Sequence, residues 1–155
     1  MKLSYRSVGF SKSDEKYFTH SIDEFMKHGL FLTKVEKGEQ VRVHLTSAKR
    51  MKELYGKSNL SLTDRGTNPI QIHLLETNWN AIPKKMGSDY TSLDDYRSAL
   101  VSHEFAHAFG HDHVSCACVG CESDVRQQPT RSLGGCLPTT NVVFNPDSPH
   151  SDVNF

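Results

Sequence analysis

Neither sign of charge dominates this sequence: 18 lysines and arginines stand against 18 aspartates and glutamates. That balance removes the electrostatic argument for nucleic acid or an anionic membrane as the main partner. No apolar run approaches the roughly 18 residues that a membrane-spanning helix needs. The opening Met1-Lys2-Leu3-Ser4-Tyr5-Arg6 lacks the apolar stretch of a secretion signal, so an intracellular or virion-associated location is expected over a secreted one. Internal repeats and long low-complexity segments are missing, and no methionine follows Met86. A chain of 155 residues suits one domain. That domain is expected over residues 1–144, with an extended tail over 145–155, where two prolines sit among polar residues. What is present is unevenly placed. Four of the nine histidines lie between His103 and His113, and all four cysteines lie between Cys116 and Cys136.

The rest of the chain reads as support for that segment. Lys2 to Val8 suits a strand. Ser11, Ser13 and Asp14 suit a helix start, Tyr17, Phe18, Ile22, Phe25 and Met26 recur at helical spacing, and Gly29 suits a stop. Strands are expected over Phe31 to Glu36 and Gln40 to Thr46, the second alternating through Val41, Val43 and Leu45. A short helix follows over Ala48 to Leu54, then a polar loop over Lys57 to Pro69, then an alternating strand through Ile70, Ile72 and Leu74. Ser92 opens a helix with Asp94 and Asp95 in its first turn, and Gly110 is placed to end it. From Val114 onward no regular element is apparent.

Within that last helix the chain reads His103-Glu104-Phe105-Ala106-His107-Ala108-Phe109-Gly110-His111-Asp112-His113. Residues four apart share a helical face, so His103 and His107 can reach one zinc ion, while Glu104, turned by about 100°, can address a water on it. His111 continues the four-residue series, but in an unbroken helix it stands about 12 Å from His103 along the axis. Two ligands each about 2.1 Å from one zinc cannot be so far apart. A sharp turn at Gly110 brings His113 back instead, because glycine tolerates a left-handed backbone. Three neutral histidines leave a coordination position open, as in catalytic zinc sites. The expected chemistry is peptide hydrolysis by a zinc-activated water, with Glu104 as general base and then acid to the leaving amine.

His103, Glu104, His107, Gly110 and His113 together satisfy the longer pattern His-Glu-x-x-His-x-x-Gly-x-x-His, and here the chain resembles the metzincin-type zinc metallopeptidases. It is more closely similar to a mostly bacterial, secreted family of small predicted metalloproteases of unassigned function. That likeness extends through Val41-Arg42-Val43-His44-Leu45-Thr46, Ile70 to Leu75 with Trp79, Tyr96-Arg97, Cys116, and Gly135-Cys136-Leu137-Pro138. The resemblance implies an α+β fold: a small mixed sheet with a backing helix, the zinc helix as the cleft floor, and an irregular C-terminal segment. It also implies an edge strand that holds an extended peptide, for which Ile70 to Glu76 is the candidate. One position departs from the family. Its methionine turn has the form Val-Met-Gln-Gln, and here Val125-Arg126-Gln127-Gln128 stands instead. A cation beside zinc is unfavourable unless paired or turned away, so Arg126 is not expected to stand in for the methionine. Val125 or Leu133 would then floor the site.

Cys116, Cys118, Cys121 and Cys136 admit three readings. The resemblance implies a Cys116–Cys136 disulfide. A second zinc held by all four thiols suits an intracellular chain, and Cys118 and Cys121, which have no counterpart in the family, favour it. Free or redox-active thiols are the third. The expected function is a zinc metalloendopeptidase acting on a peptide or protein substrate, with one catalytic Zn2+ and a second one if the cysteines bind it. The alternative is a catalytically weak or inactive zinc-containing domain that binds peptide or serves structure. A protease recruited to nucleic acid by a cysteine knuckle is disfavoured by the neutral charge.

Overall fold

The computed structural model describes residues 1–151, and the fold is α+β. Five strands, β1 (Lys2–Val8), β2 (Phe31–Lys34), β3 (Val41–Thr46), β4 (Leu62–Asp64) and β5 (Ile70–Leu75), form one sheet in the order β2-β1-β3-β5-β4. The first three pairings, β1 with β2, β1 with β3 and β3 with β5, are parallel, and β4 alone runs antiparallel, against β5. Four helices complete the fold: α1 (Glu15–Met26), α2 (Ala48–Tyr55), α3 (Glu76–Asn80) and α4 (Leu93–Ala108). No helix among the described residues is long and apolar enough to cross a membrane.

The side-chain alternation of strands decides which face is buried. Tyr5, Leu32, Val41, Val43, Ile72 and Leu74 turn inward, to the core they share with Phe18 and Phe25 of α1 and Phe105 of α4. Tyr5 stacks on Phe18 at 5.6 Å and meets Phe105 edge-on at 5.2 Å, so the first strand is locked against both helices at once. The helices meet closely where Ser21 and Ser102 share a hydrogen bond of 2.6 Å. Arg42, His44, Gln71 and His73 alternate to the opposite face. There α2 gives cover, with Tyr55 against His73 at 5.5 Å.

Helix α4 begins where Asp95 N–H donates to Ser92 Oγ at 3.3 Å. From Ser98 to Ala106 every residue is buried, so this part of the helix has no solvent face, while Asp94 and Asp95 of its first turn are exposed. It lies between the sheet, α1 and the C-terminal segment, which is why its sequence mixes apolar and polar residues on all sides.

Three expectations need correction. The stretch from Lys57 to Pro69 is not all loop, since it contains β4. Ile70 to Glu76 is not an edge strand: β5 lies between β3 and β4, and the antiparallel edge is β4. The physical reason is apolarity, because Ile72, His73, Leu74 and Leu75 are all buried and a strand covered on both faces belongs inside a sheet. The strand from Phe31 ends at Lys34 rather than Glu36. Of the tail, residues 149–151 lie antiparallel to 113–115, with Ser115 N donating to Pro149 O at 2.8 Å and Ser151 N to His113 O at 3.0 Å. Residues 152–155 of the expected tail lie outside the described residues.

Candidate metal centre

His103 and His107 stand one turn apart on α4. The helix then closes with Gly110 at φ +99°, Gly110 N donating to His107 O at 2.9 Å and His111 N to Ala106 O at 3.0 Å. This pair of bonds is the Schellman closure, which needs a left-handed residue just past the helix. The chain reverses there and His113 returns over the helix end.

The three Nε2 atoms converge. His107 lies 3.1 Å from His103 and 3.1 Å from His113, and His113 lies 3.3 Å from His103. Tetrahedral zinc with nitrogens about 2.1 Å away separates each pair by about 3.4 Å, so the spacing suits that ion. The far ring nitrogens give a second indication. His103 Nδ1–H donates to Val125 O at 2.8 Å and His107 Nδ1–H to His111 O at 2.7 Å. Each of these bonds fixes the tautomer that leaves Nε2 as a lone pair, and such outer partners are what orient metal-binding histidines. Burial, followed by the neighbouring His107 and His113, holds His103 well below the ordinary histidine range. Burial and His113 likewise push His107 down to about 4. Neutral rings whose lone pairs face one another are unfavourable without a cation between them. Among the described residues, the group that could hold a metal ion is His103, His107 and His113. The ring of His111 lies against Phe144 at 4.8 Å, and its contribution here is the carbonyl that receives His107.

Glu104 is 2% exposed. Its Oε1 accepts from Thr63 Oγ1 at 2.9 Å, and the same hydroxyl lies 3.2 Å from the Glu104 carbonyl. Its Oε2 is buried with no hydrogen-bond partner among the described residues. Burial pushes the carboxyl up to about 7, against the opposing pull of the Thr63 bond. Thr63 belongs to β4, so sequence reading missed it together with the strand. The signal that was there is the apolar-polar alternation of Leu60-Ser61-Leu62-Thr63.

Arg126 holds Asp124 with a fork, Nε to Oδ1 at 2.9 Å and Nη2 to Oδ2 at 2.7 Å, and its guanidinium lies over the Phe144 ring at 5.6 Å. Cys116 is bonded to Cys136 and Cys118 to Cys121. The first bond closes the segment that presents Val125 O to His103. Val125 and Leu133 are both buried.

No protein-family model matches the chain, and no curated protein does. Among solved structures, two of myroilysin align with it. One does so at 18% identity and a TM-score of 0.46, over 74% of this chain and 44% of that one. The other does so at 18% identity and 0.45, over 73% and 49%. The chain thus spans less than half the length of the myroilysin chains it aligns with.

Proposed function

We propose that the chain is a metzincin-like zinc metalloendopeptidase. The observation that carries this reading is the convergence of three Nε2 atoms within 3.3 Å, with a buried carboxyl one residue after the first histidine. His103, His107 and His113 are the ligands and Glu104 is the catalytic base. Zinc, when bound, lowers the pKa of a water toward about 7 and polarises a carbonyl. Glu104 does the proton work. Thr63 holds Oε1, which leaves Oε2 to take the proton of the attacking water and to pass it to the leaving amine. A carboxyl titrating near neutrality suits both halves of that transfer. The free edge of β4 is the place for an extended substrate to pair. Residues 1–144 would form the catalytic unit.

Glu104→Gln tests the mechanism: cleavage of a generic protein substrate disappears while about one zinc per chain is retained. Unchanged turnover in that variant overturns it. Two zincs per chain with free thiols would restore the four-cysteine metal site. The position of Arg126 favours one rival, a zinc domain that binds peptide without cutting it. Chelator-sensitive cleavage by the wild type decides against that rival.

A further inference from the structure

A cavity of about 170 Å³ opens beside the triad, with His113 as one wall. Val114 and Leu133 give it apolar sides, and Gln128 and Arg131 give it polar ones. Gln128 Oε1 and Arg131 Nε are both buried without a hydrogen-bond partner, two of four such atoms among the described residues. Arg131 also makes no ion pair among the described residues. Asp89 does not serve it; that carboxylate accepts from Leu133 N at 2.7 Å. Buried donors and acceptors are ordinarily satisfied, and these two residues without a side-chain partner both line the one cavity, which gives its polar side a guanidinium that has no acid among the described residues.

We infer that this cavity receives an acidic side chain of the bound peptide, glutamate above all, and that Arg131 and Gln128 set this specificity. The inference rests on the peptidase reading above. His113 belongs both to the triad and to the cavity wall, so a side chain entering here lies close to the bond held at the triad. A guanidinium offers parallel N–H donors that match a carboxylate. The Gln128 side chain makes no hydrogen bond among the described residues, so its Nε2 can donate to the second carboxylate oxygen. Val114 and Leu133 accommodate the methylenes. At about 30 Å³ per water, the volume equals five or six water-sized groups, enough for the five or so non-hydrogen atoms of a glutamate side chain. Aspartate reaches less deeply. Leucine fits but leaves the Arg131 guanidinium without an acid, and lysine meets the charge of Arg131.

The test uses one peptide series that differs at a single position: glutamate, glutamine, aspartate, leucine or lysine. Cleavage is measured with the zinc-loaded wild type, and binding by calorimetry with zinc-loaded Glu104→Gln. The expected result is a preference for glutamate over leucine of at least about tenfold in kcat/KM and in Kd. Arg131→Met should remove that preference, and Arg131→Glu should turn it toward lysine. A wild type that favours leucine or lysine, or an Arg131→Glu variant that still favours glutamate, overturns the assignment. No cleavage at all, with the glutamate preference intact in binding, overturns the peptidase reading and supports the cavity. No cleavage and no preference in binding overturns both.

Discussion

Arg126 and Asp124 form a pair whose carboxylate has no exposed side-chain surface. Asn145 N also donates to that carboxylate at 2.7 Å, so the pair ties the segment after the triad to the chain's last stretch. Arg126→Met therefore leaves a buried acid without its cation. The expected loss is about 2–4 kcal/mol of stability, read as a lower urea midpoint, with no gain in activity. Adding Asp124→Asn should recover part of it. An unchanged midpoint in Arg126→Met would refute the structural role. At this scale the histidines and Glu104 were legible because a single helical turn and one reversal bring them together. Thr63 was not, being 41 residues from Glu104. Nor was the acceptor for His103, a backbone carbonyl 22 residues on, which no side-chain identity announces.

Among the elements, α4 and its closure position the triad. A Cβ on Gly110 meets nothing within 4 Å, so the obstacle to substitution is the backbone at φ +99° rather than crowding. Gly110→Ala is expected to cost about 1–2 kcal/mol and to weaken zinc binding at least tenfold or so, since His113 depends on that turn. His111→Ala should leave zinc binding nearly intact, and a competitive zinc titration of the two variants compares them. Equal affinities would remove Gly110 from the account. The start and end of α4 were readable from Ser92 and Gly110. The burial of its stretch from Ser98 to Ala106 was not, because a segment enclosed on every side shows no apolar stripe. The three-residue strand β4 was missed although Leu60-Ser61-Leu62-Thr63 alternates, because so brief a run lies within a polar stretch, and its place at the sheet edge comes from pairing with β5.

Stability of the whole molecule should depend on pH and on metal. His73, far from the triad along the chain, is 7% exposed; it bonds to Thr46 and stacks on His44 at 4.8 Å. Burial, then His44, pushes it down to about 4, with Asp64 opposing and Arg50 assisting. Above about pH 6.5 it is neutral folded or unfolded. Between there and pH 4 the unfolded chain gains a proton that the fold refuses, so stability falls through that window and levels off below it. The loss from this residue is on the order of 2 kcal/mol after solvent screening. Urea titrations at pH 7 and 4.5, with chelator present, should show a shallower fall in His73→Gln, and parallel slopes would refute the assignment. Zinc in hundredfold excess over Kd should add about 2.7 kcal/mol, or about 5–10 °C in Tm for a chain of this size. Chelator should reverse this gain, and His113→Ala should lack it. At this scale the strands other than β4 were legible from alternating segments and turns, while the mixed α+β sheet was what the resemblance implied. The strand order was not, because parallel neighbours come from distant parts of the chain, Tyr5 beside Val41 and Val41 beside Ile70.

His103, His107 and His113 fall within eleven consecutive residues, and this proximity bears on the order of assembly. A growing chain presents all three rings to the solvent together, and they can capture an ion while β-pairings over far longer separations are still forming. Thr63 must wait for β4 to reach the helix, and Val125 emerges only after His113. In the proposed peptidase, loading and cutting would thus belong to different moments in the life of the chain. The ion could be held early, but the proton transfer proposed for Glu104 would begin only once distant segments have closed around it.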